Sequence, residues 1–174
     1  MFPDQFETRR LILRPVEADD AEAVFEGFAQ DPAVSRYLIW RPHSSIAESH
    51  AFIARCLARP SAPTYALVER ENGRLVGCLD VRQEVQHRIG FGYVLARPWW
   101  GRGLMTEALS EVVNWSLRQE GIWRVGAGCD VENVASARVM EKAGLVREGI
   151  LRRWLVHPNL GPEPRDCFSY AMVR

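Results

Sequence analysis

Leu95-Ala96-Arg97-Pro98-Trp99-Trp100-Gly101-Arg102-Gly103-Leu104-Met105-Thr106 is the stretch on which the fold turns. Before it, Ile89 to Leu95 is a β-rich run with glycines at 90 and 92. After it, Gly103 to Leu117 carries Leu104, Ala108, Leu109, Val112, Val113 and Trp115 at helical spacing. A strand therefore runs through a glycine-bearing turn directly into a long helix. Such a junction makes an anion site: glycines let the backbone approach closely, and the first helix N–H groups point outward. Arg97 and Arg102 add positive charge. The same glycines also suit a tight turn that merely needs unusual φ/ψ, so the stretch nominates a phosphate site without identifying the ligand. It is not a P-loop, which ends in Gly-Lys-Ser/Thr. Nor is it a dinucleotide fingerprint, which needs a third glycine and a doubly wound sheet.

Working outward, Tyr65 to Val68 and Leu75 to Val81 read as paired strands. Asn72-Gly73 between them predicts a hairpin turn with both central residues at positive φ. Leu11 to Arg14, ended by Pro15, reads as an edge strand. Asp19 and Asp20 suit the start of a helix carrying Ala23, Val24 and Phe28. Pro32 opens a short helical piece through Leu38. Ser45 with Glu48 is a capping-box pattern for a helix bearing Phe52, Ile53, Cys56 and Leu57, closed by Pro60 and Pro63. Downstream, Arg124 to Val131 is a strand and Ala135 to Ala143 a short helix ended by Gly144. Val146 to Val156 and Cys167 to Val173 are closing strands around the loop at Pro158 to Pro164. The class expected is α+β, a mixed, largely antiparallel central sheet flanked by helices. The strand–helix–strand unit from Ile89 to Val131 is its parallel element.

The 174 residues suit a single domain spanning 1–174. Lys and Arg number 22, as do Asp and Glu, so no global field draws nucleic acid or an anionic membrane. No stretch approaches the ~20 apolar residues of a membrane helix, and Met1 to Arg10 holds no signal-peptide run. Cys56, Cys78, Cys129 and Cys167 form no Cys-x-x-Cys pair and read as free, buried thiols. A cytoplasmic location is expected.

A second element decides the ligand: Asp130-Val131-Glu132-Asn133-Val134-Ala135-Ser136-Ala137-Arg138-Val139-Met140-Glu141-Lys142-Ala143-Gly144-Leu145. Together with Trp100-Gly101-Arg102-Gly103 and Thr106-Glu107-Ala108-Leu109, it resembles the GNAT family of acetyl-CoA-dependent N-acetyltransferases. The likeness is to the branch of RimJ/RimL-type ribosomal-protein N-terminal acetyltransferases. It extends to Glu148-Gly149, to Arg9-Leu11-Leu13-Arg14-Pro15 and to Arg165-Asp166, covering nearly the whole chain.

The resemblance implies a GNAT-like fold with a splayed pair of cofactor-binding strands and acetyl-CoA as co-substrate, with no metal. Backbone groups of Tyr93, Val94 and Leu95 would hydrogen-bond the pantetheine arm. The pyrophosphate would lie on the amides of Gly101, Arg102, Gly103, Leu104, Met105 and Thr106. Asn133 would contact the arm, and Ser136 would protonate the departing thiolate. Read from the residues alone, Asn133 is an N-cap and Ser136 a first-turn residue of its helix. The acceptor implied is an amine, with a protein or peptide N-terminus ahead of a small-molecule amine. The alternatives are a non-catalytic CoA-sensing module and a structural subunit with a degenerate site. Both monomers and homodimers occur among relatives.

Three positions depart from the family pattern. Trp100 stands where Gln or Arg is common, and Met105 where Gly or Ala is usual, so a thioether is expected to crowd the phosphate. Gly90 stands where many Rim-like relatives carry a glutamate, which leaves the base unassigned among Asp80, Glu84, His87 and water. Tyr37, Trp40 and Trp154 fall in segments that flank the acceptor groove in relatives, and each also suits core packing.

Overall fold

The structure, a computed structural model, describes residues 2–174. Its strands are β1 (Phe6–Glu7), β2 (Leu11–Pro15), β3 (Thr64–Glu69), β4 (Leu75–Val85), β5 (Arg88–Leu95), β6 (Arg124–Asp130), β7 (Val146–Val156) and β8 (Pro164–Val173). Its helices are α1 (Asp20–Val24, continued by a π-helical turn at Phe25–Ala29), α2 (Pro32–Ser35), α3 (Ile46–Leu57), α4 (Leu104–Arg118) and α5 (Val134–Lys142). One sheet of eight strands runs β1-β2-β3-β4-β5-β6-β8-β7. β5 and β6 are parallel, and the other neighbours are antiparallel. Among the described residues no helix is long and apolar enough to cross a membrane.

Helices cover both faces because alternate residues of the central strands are apolar on both sides. Leu104, Met105, Leu109 and Val112 of α4 pack with Leu79, Phe91, Val125, Met140 and Tyr170 on one face. On the other, Val24, Phe28 and Ile53 pack with Ala66, Cys78 and Ala96. In β5 the odd-numbered side chains Ile89, Phe91, Tyr93 and Leu95 join the α4 side, and Val94 joins the α1–α3 side. Gly90 and Gly92 share the parity of Val94 and lie on that second face.

Four local expectations change. β2 is not an edge strand, because Phe6 and Glu7 pair with Leu13 and Ile12 outside it; so short a strand shows no alternation in sequence. The β3–β4 hairpin forms, but only Gly73 is left-handed, at φ +69°. Arg70 to Gly73 loop out beyond the Glu69 N–H to Arg74 O bond, and Asn72 Oδ1 accepts from Arg74 N–H at 2.9 Å. A loop longer than two residues needs one left-handed residue here rather than two. Asp20 does not cap α1; it takes the Arg14 fork at 2.7 and 2.8 Å, a stronger charge-assisted pair than a single N–H offers. The capping box is also displaced: Ser45 makes no side-chain cap bond, and Glu48 instead accepts from the N–H and Oγ of Ser44 at 2.9 Å each.

Candidate active site

The site opens where the parallel pair separates. β5 and β6 are in register only at Arg88–Arg124, Ile89–Val125 and Gly90–Gly126, after which β5 continues to Leu95 without a partner on that side. Ala96 donates to Val76 O, and β4 and β5 are antiparallel, so even-numbered residues of β5 bond β4. The backbone groups of Phe91, Tyr93 and Leu95 therefore face the opening. Those of Val94 are spent on Cys78, which removes Val94 as a backbone partner for a ligand. The Leu95 carbonyl is taken too, since Trp100 Nε1 donates to it at 2.7 Å. Phe91, which motif reading passed over, takes the place of Val94 at the freed edge, and Leu95 keeps only its N–H there.

Beyond Leu95 lies the loop. Gly101 and Gly103 adopt φ of +74° and +76°. Gly103 is the N-cap of α4 and has no side chain to occupy the first amides, so the N–H groups of Leu104, Met105 and Thr106 remain free of helix partners. Met105 does not crowd this end. It is buried with Leu104 in the core under α4, because the helix turns both apolar side chains inward. Arg97 is diverted from the loop by a 2.9 Å ion pair with Asp31, while Arg102 is exposed.

A second cation arrives from β2's approach. Arg10 Nη1 donates to the Arg102 carbonyl at 2.9 Å, and its Nε donates to Glu107 at 2.7 Å. Glu107 also accepts from Thr8 Oγ1 and Arg10 N–H. Burial works against the Glu107 charge, but the Thr8 and Arg10 donors hold its carboxyl below the ordinary range. Only a long-range contact reveals Arg10; nothing near it in sequence marks it as a loop residue.

The hydroxyl pair lies on the α4–α5 side of the opening. Asn133 Oδ1 accepts from Ser136 N–H at 3.2 Å, so Asn133 is the N-cap of α5 as its residue type suggests. Tyr93 OH stands 2.7 Å from Ser136 Oγ. Burial pushes the Tyr93 phenol well up, outweighing the bond from Ser136, so it stays protonated at neutral pH. Cys129, next to Ser136, is pushed up to about 12, chiefly by burial. Of the aromatic candidates, Trp40 packs with Phe52 and His43 against the core. Tyr37 OH donates to Glu132 O at 3.5 Å, beside the end of β6. Trp154 is exposed on a bulge of β7, where Asp166 accepts from Arg153 N–H and Arg153 takes φ +48°. Asp130, buried at the end of β6, holds Arg165.

The opposite face of β5 holds the base candidates. Asp80 pairs with Gly92 across β4–β5, and its Oδ1 lies 2.5 Å from where a Cβ on Gly92 would sit. Glu84 Oε1 occupies the corresponding point on Gly90. His87 is exposed in the β4–β5 turn.

A freed strand edge leading to an uncapped helix N-terminus is the geometry expected of an acyl-CoA cleft, and comparison with known proteins agrees. A family profile described as an acetyltransferase (GNAT) domain matches residues 10–146. The chain belongs to the GNAT acetyltransferase family. The uncharacterized N-acetyltransferase YoaA of Bacillus subtilis is 31% identical, over 100% of this chain and 98% of its own. The [ribosomal protein uS5]-alanine N-acetyltransferase of Escherichia coli is 26% identical over 86% of this chain and 81% of its own. The crystal structure of a GNAT-family acetyltransferase from Bacillus anthracis superposes with a TM-score of 0.86 at 25% identity, covering 97% of this chain and 98% of that one. The protein is thus an acetyl-CoA-dependent N-acetyltransferase, with ribosomal-protein acetyltransferases among its relatives.

Proposed function

We propose that the protein moves the acetyl group of acetyl-CoA to a primary amine, and that the acceptor is a protein or peptide N-terminal amine. The observation that carries the reading is the edge of β5. It loses its partner after Gly90 and leads through Trp100–Gly103 to the free amides of α4. An extended amide-bearing arm is bound by such an edge as an added strand is, and phosphates are bound by such a helix start.

The residues divide the chemistry. The N–H of Phe91 stabilises negative charge on the thioester oxygen during attack, while the backbone of Tyr93 holds the pantetheine arm. The acceptor nitrogen attacks in its neutral form, its lone pair making the C–N bond while the C–S bond breaks with its electrons on sulfur. The Tyr93–Ser136 hydroxyl pair donates the proton that ends on the thiol and is itself reprotonated from the collapsing amine adduct. Gly101, Arg102, Gly103, Leu104, Met105 and Thr106 hold the pyrophosphate through the backbone, with Arg10 and Arg102 adding charge. Asn133 keeps Ser136 in place through its cap, which leaves its amide nitrogen available to the arm. The peptide acceptor is supported by the uS5-alanine acetyltransferase among the relatives, by Tyr37 beside the end of β6, and by the exposed Trp154 on the β7 bulge.

Isothermal titration with acetyl-CoA, followed by thioester consumption on a panel of alanine-initiated peptides and small amines, tests both halves. Binding with fastest turnover on the peptides is expected. Binding without transfer to any amine would make the protein a CoA-sensing module, and transfer confined to small amines would replace the acceptor class.

A further inference from the structure

Gly90 and Gly92 are the only residues of β5 with no side chain, and both lie on the face opposite the Tyr93–Ser136 pair. Each leaves a space that a carboxylate from β4 enters. Glu84 fills the one at Gly90, where it is held by Arg88 Nε at 2.9 Å and stands 3.6 Å from Arg82 Nε. Gly90 is still paired with Gly126 of β6, so Glu84 sits over closed sheet. Asp80 fills the other space, over Gly92, between Phe91 and Tyr93, whose backbone groups face the opening.

The two carboxylates also differ in partners. Asp80 Oδ2 takes Arg82 Nη1 at 2.5 Å, while among the described residues no other residue donates to Oδ1. About a third of the Asp80 side chain is exposed, at 35%. Beside it, Arg82 and Glu84 line a groove of about 470 Å³ with Arg59, Ser61 and Ala62. From this geometry, and resting on the acetyl-transfer reading above, we infer that Asp80 is the general base, taking the proton of the acceptor ammonium on the face of β5 opposite the thiolate's proton donor.

The step balances simply. An ammonium loses two protons on becoming an amide: the first goes to Asp80 Oδ1 and on to water. The second leaves as the tetrahedral adduct collapses and replaces the proton that the hydroxyl pair gives to sulfur. Placing acceptor and donor of protons on opposite faces lets the amine enter and the thiol leave without crossing. The groups facing Asp80 are Arg82 on its own strand, Arg59 and Cys56 from the end of α3, and Cys78 of β4; β5 presents glycine. Burial raises the Asp80 carboxyl above its ordinary value, and Arg82 opposes the shift, which moves the carboxylate toward useful basicity.

The test compares wild type, Asp80→Asn and Glu84→Gln with an alanine-initiated peptide, measuring kcat/KM against pH and acetyl-CoA affinity by titration. Asp80→Asn should cost about 10²-fold or more in kcat/KM, remove the acidic limb that wild type shows, and leave acetyl-CoA affinity within about twofold. Glu84→Gln should stay within about threefold of wild type. An Asp80→Asn protein that binds acetyl-CoA and keeps its turnover and acidic limb overturns the assignment, as does a loss confined to Glu84→Gln. If wild type itself acetylates no amine, the acetyl-transfer reading fails first and the base assignment falls with it.

Discussion

Two pairs of glycines serve this protein in opposite ways. Gly101 and Gly103, in the loop before α4, are used for a backbone conformation: both are left-handed, and nothing crowds a Cβ at Gly101. Gly90 and Gly92, in β5, have no positive φ and are used for the volume they leave, because a Cβ at either would stand within 2.5 Å of a carboxylate oxygen. The loop therefore works through amides, and its side chains are free to serve the core, as Leu104 and Met105 do. The strand works through side chains borrowed from its neighbour. Substitutions at the two places should accordingly damage different steps.

The largest effect is expected at the strand. Gly92→Ala should push Asp80 Oδ1 aside and lower kcat by about 10²-fold, with acetyl-CoA affinity nearly unchanged by titration. Unaltered turnover would show that the missing Cβ is not what the site needs. Next, Tyr93→Phe and Ser136→Ala should each lower kcat by about 10-fold or more. The double variant should fall well short of the product, because both remove one shared hydrogen bond. Additive losses would separate the two hydroxyls. At the loop, Gly103→Ala incurs a left-handed penalty of ~1–2 kcal/mol, expected as roughly 5- to 30-fold weaker acetyl-CoA binding with kcat retained at saturation. A change in kcat alone would erase the contrast with Gly92. Arg102→Ala should weaken binding by only about two- to fivefold, with a gap that closes as salt rises.

The smallest effect concerns stability. Glu107 has a lowered carboxyl in the folded state, so its contribution is present above the ordinary carboxylate range and is lost as pH falls through the lowered value. Glu107→Gln should therefore reduce Tm by about 2–8 °C near neutral pH, with the difference from wild type vanishing in acid. A difference that persists at low pH would assign Glu107 a packing role instead.

The elements easiest to read were those whose signals lie within a few residues. Asn133 before Ala135 caps α5 as its type predicts, and the glycine turn before Leu104 opens α4. Signals that depended on competing partners read less well. Asp20 had two possible uses, and the Arg14 fork, projecting from another element, won. The Glu48 bond moved to Ser44 because two adjacent serines offer the same chemistry. Met105 looked obstructive only while its direction was unknown. Val94 and Leu95 looked equivalent to Tyr93 until the β4 register consumed the groups of Val94 and the Trp100 indole took the Leu95 carbonyl.

By itself the sequence determined the order of elements from β2 onward, the glycine turn before α4 and the paired motifs that resemble the GNAT family. All of these follow from local φ/ψ preference and spacing along one segment. Tertiary structure alone decided that Arg10 stands at the loop, that Tyr93 meets Ser136, and that the carboxylates of Asp80 and Glu84 fill the spaces left by two glycines. Those contacts depend on strand register and on which side chain reaches a space first. Neither is written in the residues beside it, because a one-residue slip would send every side chain of β5 to the other face.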